Sequence, residues 1–300
     1  MNQFVPKLFD CMKGYSKEQF VKDVIAGIIV AIIALPLSIA LALASGVGPE
    51  QGIYTAIFAG FVISFLGGSR VQIAGPTAAF ATIVAGIVAE HQMEGLVVAT
   101  VMAGILLIIM GLLKFGNLIR FIPYTITSGF TFGIAVTIVI GQVKDFLGLT
   151  FTYSPVETID KVKECVACIG TIQVQALIVG LVSLAILIVF PKVTEKIPPS
   201  LIAVIVAILM VKLLHMNVKT IGDLYTISNK LPSVSLPSIN FTMIRELFPD
   251  ALTIAVLAGI ESLLSCVVAD GMVGSRHKPN MELVAQGAGN VVSALFGGIP

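Results

Sequence analysis

Gln72-Ile73-Ala74-Gly75-Pro76-Thr77-Ala78-Ala79-Phe80 lies between a long apolar run ending at Leu66 and a short one, Ala81 to Ala89. Gly75 and Pro76 break whatever precedes them. A proline at the first helical position leaves the following backbone N–H groups free, so the stretch predicts the start of a half-length helix. The positive end of a helix is costly against lipid and useful against a water-filled cavity that holds a small anion. Gly75, Pro76, Thr77, Ala78, Ala79 and Phe80 are therefore candidate anion-binding residues. A glycine-proline loop that merely connects two spans is the alternative that the motif leaves open.

Around this stretch the chain is 57% hydrophobic and 12% charged, with a mean hydropathy of +1.02. A soluble domain of this length carries about twice that charge, so the composition predicts an integral membrane protein whose first partner is the lipid bilayer. A net charge of +1 without any Lys/Arg run gives no sign of a nucleic-acid partner. Cys165-Val166-Ala167-Cys168 has metal or redox spacing, but one isolated C-x-x-C reads more simply as loop cysteines. Glu90, His91 and Glu94 read as an aqueous turn rather than a metal site. There is no H-E-x-x-H, no pair of intramembrane aspartates and no Ser-His-Asp set, so the sequence calls for neither an enzyme nor a cofactor.

In chain order, residues 1–22 alternate lysines and acids with Phe4, Leu8, Phe9, Met12 and Phe20, as an amphipathic segment on the cytoplasmic membrane surface would, or an ordinary solvated tail. A first span from Val24 to Ala44 is interrupted by Pro36, which makes Leu37, Ser38 and Leu41 candidate cavity-lining, substrate-binding residues. Further spans are expected at Ile53–Leu66, Leu96–Leu113, Ile122–Gly141, Ile172–Phe190, Leu201–Val211, Leu247–Ala269 and Leu283–Phe296, which with the short helix gives about nine segments. Short connections carrying Arg70, Lys114, Arg120, Lys192, Lys196, Arg276 and Lys278 all fall on the side of the N-terminus. The basic residues of the other side, Lys230 among them, lie mostly in long stretches diluted by acids, so the N-terminus is expected to be cytoplasmic.

Asp23 to Ser38 and Asp250 to Ser265 share one spacing, and Phe65-Leu66-Gly67-Gly68 recurs as Leu295-Phe296-Gly297-Gly298. Seven segments precede the second copy, so the copies enter the membrane from opposite sides, the inverted-repeat plan of secondary transporters. The partner of the Pro76 helix does not follow, and the 300 residues are expected to be the N-terminal piece of a longer transporter. Glu261 is an acid set within an otherwise apolar span. At that depth a carboxylate costs at least about 2.5 kcal/mol on insertion scales, so it must face protein, water or a cation, or hold a proton. Glu261, with Ser265 one turn on, is the candidate coupling-ion site, or else a structural carboxyl that packs helices together.

Ala34-Leu35-Pro36-Leu37-Ser38-Ile39-Ala40, Gly52-Ile53-Tyr54, Gly67-Gly68-Ser69-Arg70, Gly75-Pro76-Thr77-Ala78-Ala79, Ile122-Pro123 with Gly129-Phe130, Gly133-Ile134 and Ile260-Glu261-Ser262-Leu263-Leu264 together resemble the sulfate permease (SulP) family of anion transporters. The resemblance covers residues 15–300 and implies an all-α polytopic fold of two inverted seven-helix repeats, here truncated in the second, with a half-helix anion site. It implies core-domain helices 1–4 over residues 23–115, gate-domain helices 5–7 over 116–215, an extracytoplasmic connection over 216–246 and core helices 8–9 over 247–300. A cytoplasmic STAS domain and a homodimer are implied for the full-length protein. The family holds its anion between the starts of its third and tenth segments, of which this chain keeps Pro76 to Phe80, and the family's coupling acid falls on Glu261. The expected role is secondary active transport of a small anion in a bacterial inner membrane by alternating access, with sulfate the family default. Leu37 after Pro36, Asp270-Gly271-Met272 and His277-Lys278 look closer to a branch with a proton-coupled C4-dicarboxylate carrier. Sodium-bicarbonate members tend to have Asp at the Glu261 position, so Glu favours proton over sodium. An anion channel or exchanger of the same fold is the alternative.

Overall fold

A computed structural model describes residues 4–121, 124–194, 197–228, 232–234, 237 and 240–300. Ile122-Pro123, Lys196 and Lys230, used above for the family motif and the orientation, lie outside the described residues. The described residues are helical, with no strand among them. The helices are α1 (Lys7–Cys11), α2 (Lys17–Ala44), α3 (Pro49–Leu66), α4 (Ala81–Leu112), α5 (Tyr124–Leu147), α6 (Thr158–Ala167), α7 (Val174–Val189), α8 (Pro199–Leu213), α9 (Ile221–Leu224), α10 (Phe241–Val273) and α11 (Pro279–Leu295). Among the described residues, four helices are long and apolar enough to cross a membrane: Lys17–Ala44, Ala78–Leu112, Val174–Lys192 and Phe241–Val273. Two compact units divide the chain, residues 1–132 with 228–300, and residues 133–227.

Three expectations from the sequence are corrected here. Pro36 does not interrupt the first span, because α2 runs unbroken from Lys17, capped by Ser16, to Ala44. Proline already has a helical φ and forfeits one hydrogen bond, whereas ending the helix there would strip several backbone groups that lipid cannot satisfy. The helix after Gly75-Pro76 begins two residues later than expected. Thr77 is its cap, with extended backbone and a hydroxyl that accepts from the Ala79 N–H at 3.3 Å, followed by a 3₁₀ turn over Ala78–Phe80. Threonine is a good N-cap residue and Pro76 precedes it, so the proline ends the incoming chain instead of opening the helix. The helix beginning at Pro279 includes Glu282, which the expected span from Leu283 left out.

α4 is two helices joined across a kink at Gln92, whose φ of 58° and ψ of −167° are not helical. The first piece, residues 78–91, is about 20 Å long, too short for roughly 30 Å of hydrocarbon. The second, residues 93–112, is long enough to span. The half-length helix predicted from Gly75-Pro76 is thus present, and it ends at the polar Glu90-His91-Gln92 sequence.

The first unit is built around α4, α10 and α11, whose buried Leu96, Leu107, Leu247, Ile254 and Leu283 form one apolar core with Phe80 and Val84. Helix association in lipid depends on close approach, and small residues permit it. Gly104 of α4 and Gly287 of α11 face each other so closely that a Cβ on either would stand 2.6 Å or 2.4 Å from the other's carbonyl oxygen. The ends of α3 and α11 tie to each other reciprocally. After α3, the Gly68 N–H donates to Glu282 Oε2 and the Lys278 N–H donates to the Gly68 carbonyl, both at 2.9 Å. After α11, the Ile299 N–H donates to Thr55 Oγ1 at 2.7 Å. In the second unit α7 packs on α8, and the Gln173 N–H donates to the Leu147 carbonyl at 3.0 Å, joining the exit of α5 to the entry of α7.

Candidate functional site

The helix start that the sequence marks as an anion site meets the acid that it marks as a coupling site. Thr77 Oγ1 donates to Glu261 Oε1 at 2.7 Å, across 184 positions of sequence. Each partner is placed by its own helix. Thr77 is fixed as a cap, and Glu261 stands half-buried on α10 between Gly259 and Leu263, which pack toward Leu283 and the core. The result is a short relay: the Ala79 N–H donates to Thr77 Oγ1, and the Thr77 hydroxyl donates to the Glu261 carboxyl. Ala78 and Ala79 are half-buried, and their small side chains leave the backbone at the helix start open to approach. Phe80 contributes differently. Its ring is buried in the apolar core, so what it offers at the helix start is its backbone.

Ser38 is buried on α2, and its Oγ lies 3.7 Å from the place a Cβ on Gly75 would take, so α2 and the 75–77 segment are neighbours. The Ser38 carbonyl is also where Gly52 of α3 must lack a side chain, since a Cβ there would come within 2.1 Å. Leu37 is exposed and Leu41, one turn on from Ser38, is half-buried. Ser265 is exposed and is not brought to Glu261 by any described hydrogen bond. The serine next to Glu261 points elsewhere: Ser262 Oγ donates to Glu282 Oε1 at 3.1 Å.

Glu282 is a residue that the sequence reading missed. It is fully buried, and its carboxyl accepts from the Gly68 N–H, from Ser262 and, at 3.1 Å, from Gln286 Nε2. A signal existed, because an acid four positions into a helix that opens on Pro279 is the usual partner of a helix N-terminus. On the same side of the unit, Lys278 Nζ pairs with Asp10 Oδ2 at 2.7 Å and donates to the Val5 carbonyl at 2.9 Å, fastening the N-terminal segment to the entry of α11. The Lys278 ammonium holds the Asp10 carboxyl below the usual carboxylate range. Asp270 caps the same turn, accepting from the His277 N–H and from Ser275 Oγ, both at 2.8 Å.

Among the described residues no cluster of three or more His, Cys, Asp or Glu could hold a metal ion. Cys165 and Cys168 are free thiols, and Cys168 Sγ donates to Glu164 Oε1 at 3.4 Å. The site is thus a capped helix start, a carboxyl and a serine-bearing helix face. Such an arrangement can hold a small anion on backbone N–H groups and a proton or cation on the acid beside it.

The Bacillus subtilis (strain 168) protein YvdB is 43% identical over 290 residues, covering 96% of this chain and 55% of YvdB. The bicarbonate transporter BicA of Picosynechococcus sp. is 32% identical over 291 residues, covering 92% of this chain and 50% of BicA. The chain therefore spans about half the length of these curated relatives. The solved transmembrane domain of a cyanobacterial BicA superposes with a TM-score of 0.83 at 30% identity, over 95% of this chain and 74% of that one. The model of the sulfate permease family matches residues 20–300, so the match takes in the capped helix start at Thr77, the Glu261 helix and the Gly68–Glu282 tie together, and the chain belongs to the sulfate permease family.

Proposed function

We propose that the chain supplies the anion-binding helix start and the coupling acid of a proton-driven secondary transporter of a small anion. Sulfate is the first candidate, from the family's name, and bicarbonate and C4-dicarboxylates are the others. The observation that carries the reading is the 2.7 Å hydrogen bond from Thr77 to Glu261. When Glu261 is a carboxylate, the Thr77 hydroxyl spends its one proton on it, and a negative charge stands beside the helix start. When Glu261 is protonated, that charge is gone and its O–H can donate to Thr77, which frees the Thr77 hydroxyl to donate to an anion. Both changes favour anion binding. Two unit charges about 6 Å apart at an effective dielectric constant of about 20 repel by on the order of 3 kcal/mol. Removing that repulsion is a roughly 100-fold coupling between proton and anion, which is the requirement for symport.

The reciprocal ties between α3 and α11 support the inverted-repeat reading: the exit of each helix is bound to the first half of the other. In such a plan the two copies of a broken helix face each other across the site, and alternating access moves one bundle against another. The N-terminus is read as cytoplasmic, with Lys278, Arg276 and Lys7 gathered at that face.

The test is Glu261→Gln in the protein expressed from its native gene, with proton-driven accumulation and equal-pH exchange measured side by side. Glutamine keeps the shape and can still bond Thr77, but it carries no proton across. The proposal expects gradient-driven accumulation to vanish while exchange partly survives, and Glu261→Asp to keep coupling. Retained pH-driven accumulation in the Gln variant would defeat it.

A further inference from the structure

The ten residues of α6 carry an apolar stripe that no described residue covers. Ile159, Val162 and Val166 recur at the i, i+3, i+7 spacing of one helix face and are 68%, 42% and 66% exposed. Ile169, just beyond the helix, adds another at 58%. The opposite face is built into the protein. Glu164 is buried there, accepting from the Thr152 N–H at 2.8 Å, from its hydroxyl at 2.5 Å and from Cys168. The helix therefore cannot roll to hide its stripe without giving up a buried, hydrogen-bonded carboxylate. Lys163 and Asp160 pair at 2.8 Å along the edge of the stripe and remain largely exposed.

The connections of α6 fix its level. The Gln173 N–H bonds the Leu147 carbonyl at 3.0 Å, and the Thr150 N–H bonds Thr171 Oγ1 at 3.1 Å, so the segment leaves and re-enters at one point where α5 ends and α7 begins. The span Val174–Lys192 has a mean hydropathy of 2.5, and only 6% of its apolar window is buried among the described residues, so it presents an apolar surface suited to lipid. Ile172 and Val174, 38% and 64% exposed, stand between Ile169 and the rest of α7, so exposed apolar residues recur along the chain from α7 to the stripe of α6. An amphipathic helix held beside its own spanning helix, with its apolar face uncovered and its ion pair at the edge, has the composition of a helix lying in the membrane interface. We infer that α6 lies flat in the bilayer interface, with Ile159, Val162, Val166 and Ile169 in the boundary between headgroups and acyl chains and the Glu164 face against the protein. Its occupant is lipid, and the helix holds this end of the 133–227 unit at a fixed depth.

These 300 residues contain no tryptophan, so in the protein expressed from its native gene, with any tryptophan outside them replaced by phenylalanine, Val166→Trp or Ile159→Trp is a single reporter at a site with room for it. Each variant is reconstituted in phosphatidylcholine vesicles with or without bromine on the upper acyl chain, and iodide is added from the aqueous side. Insertion to a depth of about 5–10 Å predicts blue-shifted emission, loss of roughly half the signal in brominated lipid and little quenching by iodide. Glu157→Trp, at the exposed start of α6 and off the stripe, is expected to show the reverse preference. If iodide quenches the indole introduced at Val166 or Ile159 and bromolipid does not, the face is solvated and the inference is overturned. Protection from both quenchers means that protein, such as a second copy of the chain, covers the stripe, and this overturns it as well.

Discussion

Thr77→Val removes one hydroxyl and keeps the β-branched shape, so it isolates what that hydroxyl does. The residue makes two bonds through Oγ1: it accepts from the Ala79 N–H at 3.3 Å and donates to Glu261 at 2.7 Å. Losing an N-cap costs about 1 kcal/mol of helix stability, and losing a hydrogen bond to a charged group costs about 1.5–3 kcal/mol. The first loss loosens the helix start. Because the hydroxyl freed by protonation of Glu261 is the one that donates to the anion, valine also denies the anion a hydrogen bond to a charged group of that same size, which is expected to lower gradient-driven uptake, at anion concentrations below saturation, by roughly 10- to 150-fold. Thr77→Ser restores both bonds and is expected to stay within about threefold of wild type. The assay is the initial rate of labelled anion uptake into proteoliposomes under an imposed inward proton gradient, normalised to inserted protein. A Val variant as active as wild type, or a Ser variant as impaired as Val, would refute the relay and leave Thr77 a cap alone.

Three further outcomes are expected. Gly287→Ala would place a methyl 2.4 Å from the Gly104 carbonyl, so α4 and α11 must separate, a strain of about 1–3 kcal/mol that lowers the thermal midpoint of the detergent-solubilised protein by several degrees. Glu282→Ala orphans the Gly68 N–H and the Ser262 and Gln286 donors, at about 1–3 kcal/mol for each buried group left unpaired, and is expected to lower that midpoint more than any exposed substitution on α11. Asp10 has its folded pKa depressed by Lys278, so its contribution to docking the N-terminal segment is present above its unfolded value of about 3.9 and is lost as pH falls through the folded one. Hydrogen exchange of residues 5–12 is therefore expected to be slow at pH 7 and to quicken once corrected for intrinsic rates below about pH 4, and Lys278→Ala should quicken it at pH 7.

The main helices and the two candidate site features are legible in the sequence because apolar runs, one Gly-Pro break and one in-span acid are local signals. Gly75-Pro76 announced a new helix, yet Thr77 took the cap, since the chain must turn extended before it coils and threonine satisfies the freed N–H. Pro36 looked like a break and was absorbed, because lipid penalises an open helix more than one lost hydrogen bond. The Thr77–Glu261 contact could not be read, since it depends on how α4 and α10 cross, which no spacing encodes. Glu282 is hidden for a narrower reason: the apolar run begins at Leu283, and the acid one position earlier carries no hydrophobic signal of its own. Its burial follows from the Gly68 backbone seeking an acceptor, a need visible only once α3 and α11 are packed together.

In the proposed mechanism a proton gradient drives accumulation of an anion. It is tested most directly by loading proteoliposomes that carry the wild-type protein with buffer alone and measuring uptake of labelled sulfate, bicarbonate and succinate under an inward proton gradient, an inward sodium gradient and neither. With proton coupling, at least one of these anions rises transiently above its external concentration when protons are driven inward, and does not when the gradient is collapsed by a protonophore. Anion entry that stops at equilibrium under every gradient, or accumulation that follows sodium and ignores pH, would contradict it.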